Sequence, residues 1–222
     1  MFVQTSSIQA ISINTVYLRA KRILDIIFTL LLIVPLAIVF AFVAVTICLD
    51  SGGPIFFRQK RVGLNGKEFT LLKFRTMHHH SDESIHRQAI ELYMQGEALG
   101  EGNSIQFKLH NDPRITRIGH FLRKTSIDEL PQFWNVLCGE MSLVGPRPPV
   151  PYEVEKYSPN DLLRLSGKPG LTGIWQVYGR SRVTFQEMVE MDIAYLRRQS
   201  ILLDLKLILL TVPVMVLGRG GA

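Results

Sequence analysis

At 222 residues the chain can hold one substantial domain with its own core. A net charge of +6 and a pI near 9.5 point to polyanionic partners: nucleic acid, an anionic membrane surface or phosphorylated small molecules. The two cysteines, Cys48 and Cys138, stand far apart at no metal-ligand spacing, which argues against a disulfide scaffold and fits a reducing compartment.

Residues 1–20 are polar and lack a signal-peptide layout, so they read as a short N-terminal extension or interfacial segment. Residues 23–49 are almost wholly apolar apart from Asp25, Thr29 and Thr46. A membrane-crossing helix needs about 20 such residues, so this run is long enough. Pro35, near its middle, predicts a kink. Arg19, Lys21 and Arg22 precede the run, and Arg58, Lys60 and Arg61 follow it. Basic flanks prefer the cytoplasm, so a helix that enters, breaks at Pro35 and returns keeps both clusters on one side. An ordinary kinked transmembrane helix is the alternative.

Beyond Gly52 the pattern becomes mixed. Residues 55–62 and 69–74 read as strands of a hairpin turning around Asn65-Gly66. Residues 81–108 are polar and read as a peripheral insertion with a short helix near 85–94. A basic stretch over 113–125 precedes helices expected at 126–138, 153–166 and 184–198. Residues 201–217 are apolar but carry Asp204 and Lys206, which suits an amphipathic helix lying in a membrane interface better than a span.

The chemistry centres on Thr125-Ser126-Ile127-Asp128-Glu129-Leu130-Pro131-Gln132. Its plain structural reading is a capping box from Ser126 to Glu129 at a helix start. The same geometry also suits phosphate, because a helix N-terminus offers free N–H groups and partial positive charge. An ionised aspartate there can attack phosphorus, and a glutamate beside it can hold magnesium, which takes one or two carboxylates plus phosphate oxygens. Cations recur nearby, among them Arg58, Lys60, Arg61, Lys73, Arg75, Arg114, Arg117, Arg123, Lys124, Arg147 and Arg180. Most single members of such a set are solvated surface charges. Lys73 and Arg75 sit among core-type residues, and the prolines around Arg147 hold its backbone rigid. The glycine-rich segment 167–180 has neither P-loop nor dinucleotide-fold spacing. Its Trp175 and Tyr178 read as core residues before base-stacking ones, and His78, His79 and His80 as solvated rather than metal-binding.

Taken in order, several of these segments resemble the bacterial sugar transferase family, the monotopic phosphoglycosyl transferases that act on polyprenyl phosphate. The resemblance runs from Lys21 to about Leu210. It includes Lys21-Arg22-Ile23-Leu24-Asp25, Gly53-Pro54-Ile55-Phe56-Phe57-Arg58-Gln59, Lys73-Phe74-Arg75-Thr76-Met77, Asp112-Pro113-Arg114-Ile115-Thr116, Ser126-Ile127-Asp128-Glu129-Leu130-Pro131-Gln132, Gly145-Pro146-Arg147-Pro148 and Pro169-Gly170-Leu171-Thr172-Gly173.

This resemblance implies a mixed α/β, mostly helical fold that is membrane-monotopic. Its parts are one re-entrant helix-break-helix, a small β-hairpin and amphipathic interfacial helices. The chain then divides into an extension (1–20), a re-entrant membrane helix (21–50) anchored through Asp25 and Pro35, and a cytoplasmic catalytic domain (51–222). The family has a small residue before the anchor proline, where this chain has Val34. The implied reaction moves a sugar 1-phosphate from a UDP-sugar to undecaprenyl phosphate at the inner membrane. Asp128 would form a covalent phosphosugar with release of UMP, and Glu129 would hold Mg²⁺. Lys73, Arg75, Arg123, Arg147 and Arg180 would bind substrate. Nucleic acid is not an expected partner, and a homodimer is left open. The rival class is a non-catalytic, basic, membrane-tethered binding protein. A polytopic transferase would need several apolar runs, and one is present.

Overall fold

The computed structural model describes residues 14–78, 84–96, 112–179 and 183–216; Arg180, His79, His80, residues 1–13 and much of the 81–108 insertion lie outside the described residues. The first element, α1 (Thr15–Ser51), is a single helix of 37 residues. Asn14 caps it by accepting the Tyr17 N–H at 3.1 Å, so the helix begins ahead of residue 21. Where a helix-break-helix was expected, the helix runs through Pro35 without interruption; a proline removes one backbone hydrogen bond and bends a helix without having to end it.

Burial along α1 falls on one stripe, at Tyr17, Lys21, Asp25 and Thr29, and again at Val43 and Ile47. Between these two groups Leu30 to Val34 and Ile38 are exposed. The most apolar window of the helix is only 11% buried, which separates it from the core helix of a soluble protein.

Strands β1 (Phe56–Val62) and β2 (Glu68–Phe74) pair antiparallel, from Phe56 opposite Phe74 to Val62 opposite Glu68. Asn65 takes the left-handed conformation in the turn at φ 56°, which asparagine tolerates. Then follow α2 (Ser84–Gln95), α3 (Arg117–Thr125), a 3₁₀ turn (Ile127–Glu129), α4 (Gln132–Cys138), β3 (Ser142–Val144) and α5 (Pro151–Val154). A 3₁₀ segment (Asp161–Ser166), β4 (Gly170–Thr172), a π-helical turn (Trp175–Gly179), α6 (Phe185–Arg198) and α7 (Ile201–Val216) are the remaining elements among the described residues.

Three local expectations change. The helix expected over 126–138 begins only at Gln132, and the capping box does not form: Ser126 stands in the left-handed region at φ 57° and makes no side-chain cap bond. The helix expected over 153–166 splits into α5 and the 3₁₀ segment, with Pro159 between them disfavouring helix at Ser158. Segments read as turns hold a parallel pair, Ser142 opposite Gly170 and Val144 opposite Thr172. This pair needs glycine, since a Cβ on Gly170 would lie 2.0 Å from the Gly145 nitrogen.

The main core joins Phe69 and Leu71 of β2, Val136 of α4, Met141, Leu143 and Val144 around β3, Tyr195 and Leu196 of α6 and Leu207 of α7. A second cluster seats Val43 and Ile47 of α1 on Phe74 and Leu122. The basic flank of α1 is partly used inside the protein. Lys21 forms an ion pair with Asp204 at 2.7 Å, and Arg22 donates to the Val136 and Leu137 carbonyls at the end of α4. Asp25 faces inward, accepting from Ser142 Oγ at 3.1 Å and Leu143 N at 3.0 Å. Asp204, expected on a polar outer face of α7, is buried; Leu202, Leu209 and Val212 are exposed instead.

Candidate active site

Asp128 lies on the 3₁₀ turn between α3 and α4 rather than at a helix N-terminus, so the helix-dipole argument for phosphate does not carry over to it. Its position is fixed from both sides. On one side Asn135 of α4 substitutes for a missing strand beside β2, accepting from Leu72 N at 3.1 Å and donating to Thr70 O at 2.8 Å. On the other, Thr116 caps α3 by accepting from Gly119 N at 2.9 Å. Gly119 lets α3 approach β2's continuation: a Cβ there would meet the Thr76 carbonyl oxygen at 2.1 Å. Ser126, in a conformation that L-residues avoid, closes the turn and leads directly to Ile127 and Asp128.

Lys73 projects from β2 onto this turn. Its ammonium donates to Glu129 Oε1 at 2.6 Å and lies 3.6 Å from Asp128 Oδ2, so one cation bridges both carboxylates. Asp128 is 8% exposed and Glu129 more open. Asp128 is therefore a buried carboxylate facing a positive charge, and Glu129 reaches toward solvent beside it.

These groups line one chamber of about 1180 Å³. Lys73, Arg75, Arg123, Arg147, Asp128 and Glu129 all contribute to its wall, so every described residue that the sequence singled out for substrate or catalysis converges here. Arg58, Arg61 and Arg114, read from the sequence in the cation set, the basic flank and the family-like segments but given no role in the site, belong to the same wall. The site also uses residues that sequence reasoning missed. His86 of α2 makes a 2.6 Å hydrogen bond with Tyr152 OH, and Asp112 holds Arg114 at 2.6 Å. Within α2, Ala89, Ile90 and Tyr93 are buried, so this part of the 81–108 segment is packed against the domain. Its helical spacing of apolar residues was the available signal. Trp175 is buried, with the Arg147 guanidinium 5.9 Å from its ring centre, while Tyr178 is exposed.

The cations shape the local electrostatics. Burial, together with Arg61, Arg147, Arg114 and Arg123, holds the His86 imidazole down at about 4, so it is neutral near neutral pH. Burial, and then neighbouring Arg147, lowers Arg61 to about 10. Its hydrogen bond to Arg114 keeps Asp112 below the usual carboxylate range. Arg164 steadies the chamber floor: it pairs with Asp192 at 2.5 Å and donates to the Arg147 carbonyl at 3.3 Å.

The opposite wall is apolar. Phe28, Leu32 and Leu36 of α1, Ile208 and Val212 of α7, and Leu171 line it. The chamber thus has a cationic half around two acids and an apolar half continuous with α1. Among the described residues no cluster of three or more His, Cys, Asp or Glu side chains is placed to hold a metal ion. The pair Asp128 and Glu129 fits a magnesium ion that shares phosphate oxygens and waters, a donor set typical of that ion.

Fold and chamber together define a class: a long apolar helix leading into a cation-rich pocket suited to phosphorylated ligands. The chain belongs to the bacterial sugar transferase family, whose pattern matches residues 16–218, and membership makes it a transferase. It is 47% identical over 206 residues to a galactosyl transferase, CpsE, of Streptococcus agalactiae, covering 92% of this chain and 44% of that protein. It is 39% identical over 202 residues to the exopolysaccharide production protein ExoY of Sinorhizobium fredii, covering 91% and 88%. It is 40% identical over 202 residues to the undecaprenyl-phosphate galactose phosphotransferase of Salmonella typhimurium, covering 91% of this chain and 41% of that one. The chain thus spans less than half the length of the first and third of these relatives.

Proposed function

We propose that this protein transfers a sugar 1-phosphate from a UDP-sugar to undecaprenyl phosphate at the cytoplasmic face of a bacterial membrane, through a covalent intermediate on Asp128. The observation that carries the reading is the buried Asp128 carboxylate, bridged to Glu129 by Lys73 inside a chamber lined by arginines.

In the first step an Asp128 oxygen attacks the β-phosphorus of the donor. The bond from that phosphorus to the bridging oxygen breaks, UMP leaves, and the sugar phosphate is held as an acyl phosphate. In the second step a phosphate oxygen of the lipid attacks the same phosphorus. The bond to Asp128 breaks, which restores the carboxylate and yields the lipid diphosphate-linked sugar. Lys73 aims Asp128, and Arg123 and Arg147 face the charge that develops on the donor diphosphate. Glu129, with Asp128, would hold Mg²⁺, which supplies Lewis-acid neutralisation of the diphosphate when bound.

Placement at a membrane is supported by the exposed apolar stretch of α1, by the outward leucines of α7, by exposed Phe121, and by exposed Trp134, an aromatic type enriched at interfaces. Re-entry of α1 is supported by its two ends. Lys21 and Asp25 near its start bind α7 and β3, while Asp50 at its end accepts from Ile118 N of α3 at 3.2 Å. Both ends therefore seat on the same domain, with the exposed stretch between them. The test is UMP release by the purified protein with undecaprenyl phosphate, Mg²⁺ and a panel of UDP-sugars. Turnover with at least one donor, lost in Asp128→Asn while its unfolding temperature is kept, is expected. No UMP from any donor contradicts the reading.

A further inference from the structure

Arg75 is 6% exposed, yet two of its three guanidinium nitrogens are buried without a hydrogen-bond partner among the described residues. Its Nη2 donates to Ser51 Oγ at 2.7 Å and to the Gly52 carbonyl. Its Nε and Nη1 are buried and have no hydrogen-bond partner among the described residues. Neighbouring cations are committed elsewhere: Lys73 to Glu129, Arg61 to Gln59 and the Pro148 carbonyl, Arg114 to Asp112. Burying a guanidinium with unmet N–H groups is strongly unfavourable unless an anion completes it.

The surroundings say which anion. Arg75 is clasped by the last turn of α1 and the residues just after it, on the side of the chamber formed by Leu32 and Leu36 of α1, Pro54 and Ile55. A water-soluble diphosphate has no use for that apolar side, whereas a phosphate at the head of a hydrocarbon chain does. Lys73 and Arg75 are alternate residues of an extended chain, so they project the same way about 7 Å apart. An anion on Arg75 therefore sits within reach of the Asp128 carboxylate that Lys73 contacts.

We propose that Arg75, held by Ser51, is the station for the phosphate of the lipid acceptor, and that the donor diphosphate is handled by the other arginines of the chamber. This rests on the transfer reaction proposed above and adds to it a division of labour among the cations.

The experiment compares wild type, Arg75→Gln, Arg75→Lys and Ser51→Ala in three arms. The first is donor-only UMP release in a single turnover, the second is steady-state KM for each substrate, and the third is binding to nanodiscs with and without undecaprenyl phosphate, using inorganic phosphate as competitor. The expected result for Arg75→Gln is an acceptor KM raised at least about tenfold more than the donor KM, with the donor-only burst retained. Arg75→Lys should recover part of the loss, and Ser51→Ala should show a milder version of it. Equal rises in both KM values, or loss of the burst with acceptor KM unchanged, overturn the assignment. If Arg75→Gln does not fold, Arg75→Lys and Ser51→Ala are read by the same KM ratio. If the wild type releases no UMP, the transfer reading fails, and the nanodisc arm alone judges this one. Binding that depends on undecaprenyl phosphate, weakens in Arg75→Gln and resists inorganic phosphate supports it. Binding equal in both proteins, or abolished by inorganic phosphate, overturns it.

Discussion

The seat of α1 on the domain can be tested through Lys21 and Asp204, whose side chains are 10% and 7% exposed and 2.7 Å apart. Asp204 also accepts from Tyr17 OH at 2.8 Å and Tyr195 OH at 2.7 Å. Lys21→Met leaves a buried carboxylate with two phenol donors, and Asp204→Asn leaves a buried ammonium facing a neutral amide and the Tyr195 oxygen at 3.2 Å, with no countercharge on α7. Breaking a buried pair from one side costs about 3–5 kcal/mol. For a chain of this size that corresponds to a fall in unfolding temperature of about 6–20 °C. The double variant removes both charges and keeps an amide oxygen for the two tyrosines, so it should stay within about 1 kcal/mol of wild type. Thermal unfolding of the four proteins in one detergent, followed by tryptophan fluorescence, gives the cycle. With singles of about 3–5 kcal/mol each and a double within about 1 kcal/mol, a coupling energy of about 5 kcal/mol or more is expected. Neutral single variants, or a double variant as damaged as the sum of the singles, would refute the reasoning.

Three further outcomes are open to measurement. His86 is held neutral at about 4 against about 6.5 when unfolded, so the unfolded chain takes up a proton first and stability falls as pH drops through that window. Relative to wild type, His86→Gln should therefore gain about 2 kcal/mol between about pH 7 and about pH 5, and an unchanged difference in chemical denaturation would count against a buried neutral imidazole. Ser126→Gly relieves a left-handed serine at φ 57° and should raise stability by about 0.5–1 kcal/mol; a lower unfolding temperature would mean the serine is not strained. With Cys48 and Cys138 replaced by serine, cysteines placed at exposed Val16 and Asn65 should both react with an impermeant maleimide from the cytoplasmic side alone, and labelling of the two from opposite sides would show a full crossing.

Much of the site was legible because it is written in short polar motifs set among apolar residues. Asp128, Glu129, Lys73 and Arg147 could be picked out that way, and the chamber brings them together. The hairpin and α6 were legible for the same reason: an Asn-Gly turn signal and a capping box at Thr184 and Glu187 are local. What was not legible is tertiary. The α4 start looked like a capping box at Ser126, but the serine takes a left-handed conformation that breaks the helix there, and its residue type gives no sign of that. Asp204 and Lys21 looked like surface charges because sequence patterning shows each alone, and their pairing spans 183 residues. The β3–β4 pair of three residues each is too short to leave a periodic signal. His86 and Tyr152 become neighbours only when α2 folds back over the chamber.

The central claim is that the Asp128 carboxylate becomes bonded to phosphorus. Mass spectrometry of protein quenched in acid after exposure to a UDP-sugar and Mg²⁺, with no lipid acceptor, tests it most directly. A mass increase of one sugar phosphate is expected, mapped by peptide fragmentation to residue 128 and discharged when undecaprenyl phosphate is added before quenching. An unmodified Asp128 in protein that nonetheless turns over, or an adduct on any other side chain, would contradict it.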